Sequence, residues 1–207
     1  MTLGHCLVEL LGRRYMKSLS SLSLMSFLAL ICLVLPSIAE TLEEKAALCA
    51  ACHGEKGIPI DPKFPIISGQ QQGYLYIQLR DMKEGTRKNE LMAPIVAEMS
   101  KDDMLAYAEY FSAKEWPALG YDAKITSAEA SKANEIEVAG QCTACHREGY
   151  VGDAVIPRIA GQSVDYLTKT TRDFKTKERA NNSFMNDMLA SFKDEDIALM
   201  SRFVAGQ

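Results

Sequence analysis

Histidine is almost missing from this chain. Among 207 residues there are three, His5, His53 and His146, and Trp116 is the only tryptophan. Cysteine is confined: Cys6 and Cys32 lie in the first forty residues, and the other four form two short stretches, so nothing is left for extra disulfide staples. Basic charge is not in excess. With 23 Lys and Arg against 27 Asp and Glu the formal net charge is −4, which disfavours nucleic acid and anionic membranes as partners. Strand-type alternation of useful length is also absent, which points to an all-α chain.

The one long apolar run is N-terminal. Arg13, Arg14 and Lys17 precede an uncharged stretch from Leu19 to Leu35, and Ser37 and Ala39 stand at small-residue cleavage positions. Residues 1–39 read as a signal peptide for export to the periplasm. The competing reading is a retained anchor that would hold the protein on the membrane, but the run is slightly short for a span and is interrupted by serines. Ile31 before Cys32 argues against a lipoprotein site, and Met16 opens a complete leader by itself, an alternative start. Residues 1–39 hold three of the basic and one of the acidic residues, so the remainder carries 20 against 26, formally −6.

What remains is patterned. "CAACHGEKG", 49–57, returns 93 residues later as "CTACHREGY", 142–150. Cys-x-x-Cys-His is a c-type haem attachment motif: Cys49 and Cys52, like Cys142 and Cys145, would bond the haem vinyl groups as thioethers, and His53 and His146 would be proximal iron ligands. Three other readings fit less well. The 89 residues between Cys52 and Cys142 far exceed zinc-ribbon spacing, no βαβ context supports a redox dithiol, and two plain disulfides leave both histidines unexplained.

The repeat extends further. Pro65 falls against Pro157, Gly69-Gln70 against Gly161-Gln162, Tyr74-Leu75 against Tyr166-Leu167, Arg87 against Arg179 and Asn89 against Asn181. The offset is 93 at the motif, 92 through the middle, and 93 again after one inserted residue near Asn182. Two copies imply two tandem domains, 40–113 and 126–207, joined by a linker, 114–125. Each half reads as three main helices with long loops: Thr41-x-x-Glu44 and Thr126-x-x-Glu129 are capping boxes, and "YLYIQLRDMKEG" is an amphipathic helix stopped at Gly85. Units of this size with so much loop have little apolar core of their own, and a buried haem would supply it.

No histidine remains for the second axial position, so methionine is the next choice. Most methionines in the repeat align with other bulky apolar residues, which is the behaviour of packing positions. Only Met92 and Met185 align with each other, each 39 residues beyond its histidine and each expected in a loop before the last helix.

On the two Cys-x-x-Cys-His motifs, "FPIISGQQQGYLYIQLRDMKEG" with its partner "IPRIAGQSVDYLTKTTRDFKT", and the two methionine segments, the chain resembles the cytochrome c4 family of dihaem class I cytochromes c. The resemblance implies two cytochrome c folds face to face with haem propionates meeting between them, and two covalently attached haem c groups. It also implies that the Pro65 and Pro157 carbonyls accept a hydrogen bond from His53 and His146. The implied function is electron transfer within a respiratory chain, from an upstream cytochrome complex or dehydrogenase to a terminal oxidase. The alternatives are a cytochrome subunit of a dehydrogenase complex, or a haem enzyme such as a peroxidase, which would need an open iron position and an acid–base residue that no spare histidine supplies. Two departures from the pattern bear on structure. Lys177 replaces Gly85, so the second middle helix is expected to end differently, and Lys193 replaces Ser100 as a helix cap, leaving Ser191 or Asp194 for that role.

Overall fold

The two halves open the same way. In the computed structural model, which describes residues 41–120 and 124–207, Thr41 Oγ1 accepts from the Glu44 N–H and the Glu44 carboxylate accepts from the Thr41 N–H. Thr126 and Glu129 repeat the exchange. Each reciprocal pair satisfies donors that a helix start leaves unpaired. The leader, 1–39, lies outside the described residues.

The first half runs α1 (Leu42–His53), α2 (Gln72–Lys83), α3 (Ala93–Val96) and α4 (Lys101–Ser112). The second runs α5 (Ser127–Gly140), α6 (Cys142–His146), α7 (Val164–Lys175), α8 (Ser183–Leu189) and α9 (Asp194–Ala205). Short 3-10 turns follow each motif, at Glu55–Gly57 and Glu148–Tyr150. An isolated bridge pairs Asp153 with Ile156, and there is no strand among the described residues. No described helix is long and apolar enough to cross a membrane.

Three details differ from the sequence reading. The methionine segments are not plain loops: Met92 precedes the single turn of α3 and Met185 sits inside α8. The second middle helix ends as the first does. Gly85 and Lys177 both take left-handed backbone, at φ 75° and 63°, and both donate back to the residue three before them, Met82 and Phe174. The turn geometry is fixed by the helix end, and lysine is forced into it. At α9 neither Ser191 nor Asp194 caps; Lys193 is the boundary residue and its N–H donates to Asp196.

Middle and last helices pair in each half, α2 with α4 and α7 with α9, and α9 also packs on α5. Ile66, Met82, Val96, Met104, Ala108 and Phe111 are buried in the first half. In the second, Tyr150, Ala160, Leu167, Val204 and Ala205 form one apolar cluster and Ala133, Ile136 and Leu199 another. Residues 41–207 make one compact unit, and the halves grip each other through polar groups. Arg87 donates to the Tyr166 hydroxyl and Arg179 to the Tyr74 hydroxyl. Arg179 and Asn181 also donate to Gln78, and Asn181 reaches Asp81.

Candidate functional site

α6 is one turn long, yet it carries Cys142 and His146 into the same cleft. The cleft is partly open to solvent, and its apolar walls include Ile136, Leu167, Leu189, Ile197 and Val204. Met185 and Met188, from α8, and Met200, from α9, line the same space. A thiol, an imidazole and thioethers thus face one apolar slot. That donor set fits a haem c: soft sulfur and imidazole for iron, carbon walls for a macrocycle.

The imidazole is set in one tautomer. His146 Nδ1 lies 2.9 Å from the Pro157 carbonyl oxygen. A carbonyl only accepts, so Nδ1 carries the proton, and the neutral ring keeps its Nε2 lone pair free for a metal. Burial holds His146 below its usual pKa, against the opposing effect of the Pro157 bond, which keeps the ring neutral near pH 7. His53 repeats this arrangement: Nδ1 is 2.9 Å from the Pro65 oxygen, and burial, with a smaller effect from Arg87, lowers its pKa.

Cys49, Cys52, Cys142 and Cys145 are unpaired thiols, with Cys52 and Cys145 exposed. Burial pushes the Cys49 and Cys142 thiols up, Cys142 further helped by Glu137. Among the described residues no group of three or more His, Cys, Asp or Glu is placed to hold a bare metal ion.

The methionines are positioned by asparagines whose role the sequence reading left unassigned. Asn89 Oδ1 accepts from the Met92 N–H, 3.0 Å, and from Leu91 N–H, 3.1 Å. Asn182 Oδ1 accepts from the Met185 N–H, 3.1 Å. Each asparagine stands three residues before its methionine, so the structural counterpart of Asn89 is Asn182 and not Asn181, which the offset of 92 sets against it. Also unassigned were Gln70 and Gln162. Both are buried, and both cross between the halves to bond backbone next to Pro157 and Pro65. Their signal in the sequence was the repeated Gly-Gln pair.

No protein-family model matches the chain. Cytochrome c4 of Pseudomonas aeruginosa is 30% identical over 172 residues, 79% of this chain and 86% of that protein. A thiosulfate dehydrogenase electron acceptor of Stutzerimonas stutzeri is 29% identical over 77% of this chain and 79% of its own. The crystal structure of reduced recombinant cytochrome c4 from Pseudomonas stutzeri superposes with a TM-score of 0.71 at 31% identity, covering 80% of this chain and 96% of that one.

Proposed function

The chain belongs to the cytochrome c4 family, and from that premise we propose that it is a periplasmic electron carrier whose irons are held by His53 and Met92 in one half and His146 and Met185 in the other. It is an all-α c-type cytochrome of two tandem domains with two covalently attached haem c groups, and it transfers electrons. Cys49 with Cys52 and Cys142 with Cys145 are the attachment thiols of this reading. The domains are 40–113 and 126–207 with 114–125 between them, and residues 1–39 direct export.

When bound, each haem supplies an iron that gains or loses one electron without moving a proton or a bond of the chain. The protein's share is to hold the ligands still. The Pro65 and Pro157 carbonyls fix the imidazole rings, and such bonds raise the basicity of the ligating nitrogen. The asparagine caps fix the backbone of Met92 and Met185. With His53 and Met92, and His146 and Met185, holding the irons, no position would be left for peroxide or oxygen, so the proposal is a carrier and not an enzyme. The thioether favours the reduced state and raises the potential.

The observation that carries this reading is the meeting of Cys142, His146 and three methionines in one apolar cleft, of which Met185 alone has a methionine counterpart in the other half. The acceptor proposed is a terminal oxidase. A second reading, service to a dehydrogenase as its cytochrome partner, is favoured by the likeness to a thiosulfate dehydrogenase electron acceptor. Carbon monoxide tests the ligand set. The reduced wild-type protein should bind little at neutral pH, Met92→Ala about one per chain, and Met92→Ala with Met185→Ala about two, one for each vacated position. Met99→Ala and Met188→Ala should add none. Stoichiometric binding to the unmutated protein would move the assignment to the enzyme class.

A further inference from the structure

Pro65 C=O and Ile66 N–H belong to one peptide group. Its oxygen accepts a hydrogen bond from the His53 Nδ1–H, with N···O 2.9 Å. Its N–H donates to Gln162 Oε1, also at 2.9 Å, and Gln162 stands in the other half. The same carboxamide returns a bond from Nε2 to the Ile66 carbonyl, 3.0 Å, and its oxygen is held by the Ser163 N–H, 2.9 Å.

The second half mirrors this atom for atom. The Pro157 carbonyl accepts a hydrogen bond from the His146 Nδ1–H. The Arg158 N–H, the other end of that peptide, donates to Gln70 Oε1 at 2.8 Å. Gln70 Nε2 returns to the Arg158 carbonyl at 2.8 Å, and the Gln71 N–H holds Gln70 Oε1 at 2.9 Å. Both glutamines are buried, at 4% and 3% exposure, where an unbonded carboxamide would be costly. Three bonds on each side chain fix its direction.

From this geometry we propose that Gln70 and Gln162 are crossed positioning residues, each setting the reduction potential of the haem in the opposite half. The inference rests on the reading of His53 and His146 as axial ligands. A peptide whose N–H is bonded carries more negative charge on its oxygen, because hydrogen bonds in series polarise one another. Gln162 therefore strengthens the acceptor that faces His53, and Gln70 the one that faces His146. A stronger acceptor makes the imidazole more basic and favours the ferric iron. Removing the glutamine weakens the acceptor and raises the potential, in the half that was not mutated.

The test uses the full holoprotein in a redox titration followed by haem absorbance. The two transitions are assigned by Met92→His and Met185→His, each of which should move one transition down. If neither moves a transition, the ligand reading fails, whatever the glutamines do. With that assignment made, Gln162→Leu should raise the His53-side transition by up to about tenfold in the ferric–ferrous equilibrium, 59 mV for one electron, and leave the His146 side nearly unchanged. Gln70→Leu should do the reverse. Gln162→Glu, protonated by burial and so still able to accept and donate, should restore much of the shift. Gln71→Ala removes another contact between the halves, to the Val151 carbonyl, and should shift neither transition. Hydrogen exchange at the His53 ring N–H in reduced protein should be faster in Gln162→Leu, and this is read even where the variant is less stable. A shift confined to the mutated half, an equal shift of both, no shift, or the same shift from Gln71→Ala overturns the proposal.

Discussion

The two halves solve one backbone problem with different residues. Behind each Cys-x-x-Cys-His motif the chain needs left-handed turns at the same three places. The first half has Gly54, Lys56 and Gly57 there, at φ 71°, 61° and 87°; the second has Arg147, Gly149 and Tyr150, at 66°, 65° and 54°. The turn is held in common, since Ile67 and Ser68 donate to the Gly57 carbonyl as Ile159 and Ala160 do to that of Tyr150. Where Gly57 leaves room for Ile67 and Phe111, the Tyr150 ring fills the core itself. The methionine segments differ in the same spirit. The inserted residue gives the second half two asparagines, so Asn182 caps Met185 while Asn181 crosses to Gln78 and Asp81. Geometry at the site is repeated, and the sequence that produces it is negotiated locally.

Removing a ligand should separate the halves most. In His146→Ala the α6 cleft loses the proximal ligand that would seat its haem during attachment, and its apolar walls lose the packing of that group. The second half should become protease-sensitive and the haem content should fall from two to one per chain, with the first haem's spectrum retained. His53→Ala should do the converse. If either variant melts both halves together, the domains are one cooperative unit and the comparison fails at its root.

Glycine contacts give the next largest effect. A Cβ on Gly54 would lie 1.9 Å from the Ile58 carbonyl oxygen, a backbone atom, so Gly54→Ala should destabilise by about 3 kcal/mol. Its counterpart Arg147 already carries a side chain. The second loop, one residue shorter between histidine and proline, has moved its tight spot to Gly152, where a Cβ would meet the Ile156 oxygen at 2.4 Å. Gly152→Ala should therefore match Gly54→Ala, whereas Arg147→Gly should be within about 1 kcal/mol of neutral, since loss of an exposed pair with Asp153 is opposed by relief of its positive φ. Denaturant unfolding followed by far-UV signal checks all three.

These contrasts mark how far the sequence could be read. The capping boxes at Thr41 and Thr126, the middle helices and the alignment of Met92 with Met185 follow from short-range pattern, which periodicity and repeats report directly. The break of the second motif helix at Gln141, left-handed at φ 51°, was not legible. It depends on Glu137 reaching the Thr143 N–H and hydroxyl across the kink, a contact with no signature spacing. The inter-half glutamine bonds span 88 and 96 residues, beyond any local signal. The helix end at Lys177 runs against residue preference, because the repeat imposes there the same left-handed turn as at Gly85.

A smaller effect should come from exchanging residues at that helix end. Nothing lies within 4 Å of a Cβ placed on Gly85, so Gly85→Ala meets only the left-handed penalty, about 1 kcal/mol. Lys177→Gly should relieve the same penalty and gain about 0.5–1 kcal/mol, or roughly 1–4 °C in melting temperature for a protein of this size. Equal losses from both changes would mean that Lys177 makes a contact that offsets its backbone strain.

The smallest contrast is electrostatic. Glu129, in the cap of α5, also receives Arg202 of α9 at 2.6 Å, both side chains partly exposed. Backbone bonding at Thr126, then Arg202, then the Thr126 hydroxyl hold its carboxyl down at about 2, from an ordinary 4.5. Glu44, its counterpart in the first half, is lowered by Thr41 alone. A carboxylate whose folded pKa is depressed contributes stability that is present above its unfolded value and is lost as pH falls through the folded one. The Glu129 contribution should therefore be intact at pH 6 and disappear between about pH 4.5 and 2, while Glu129→Gln lacks it throughout. Acid unfolding of the two proteins should converge in that window, and Arg202→Gln should close part of the gap. Salt should shrink the part that comes from Arg202, because the pair is exposed, and leave the cap to Thr126. Glu44→Gln should show a narrower version of the same curve; an identical one would mean that Arg202 adds nothing and that the two caps are electrostatically alike.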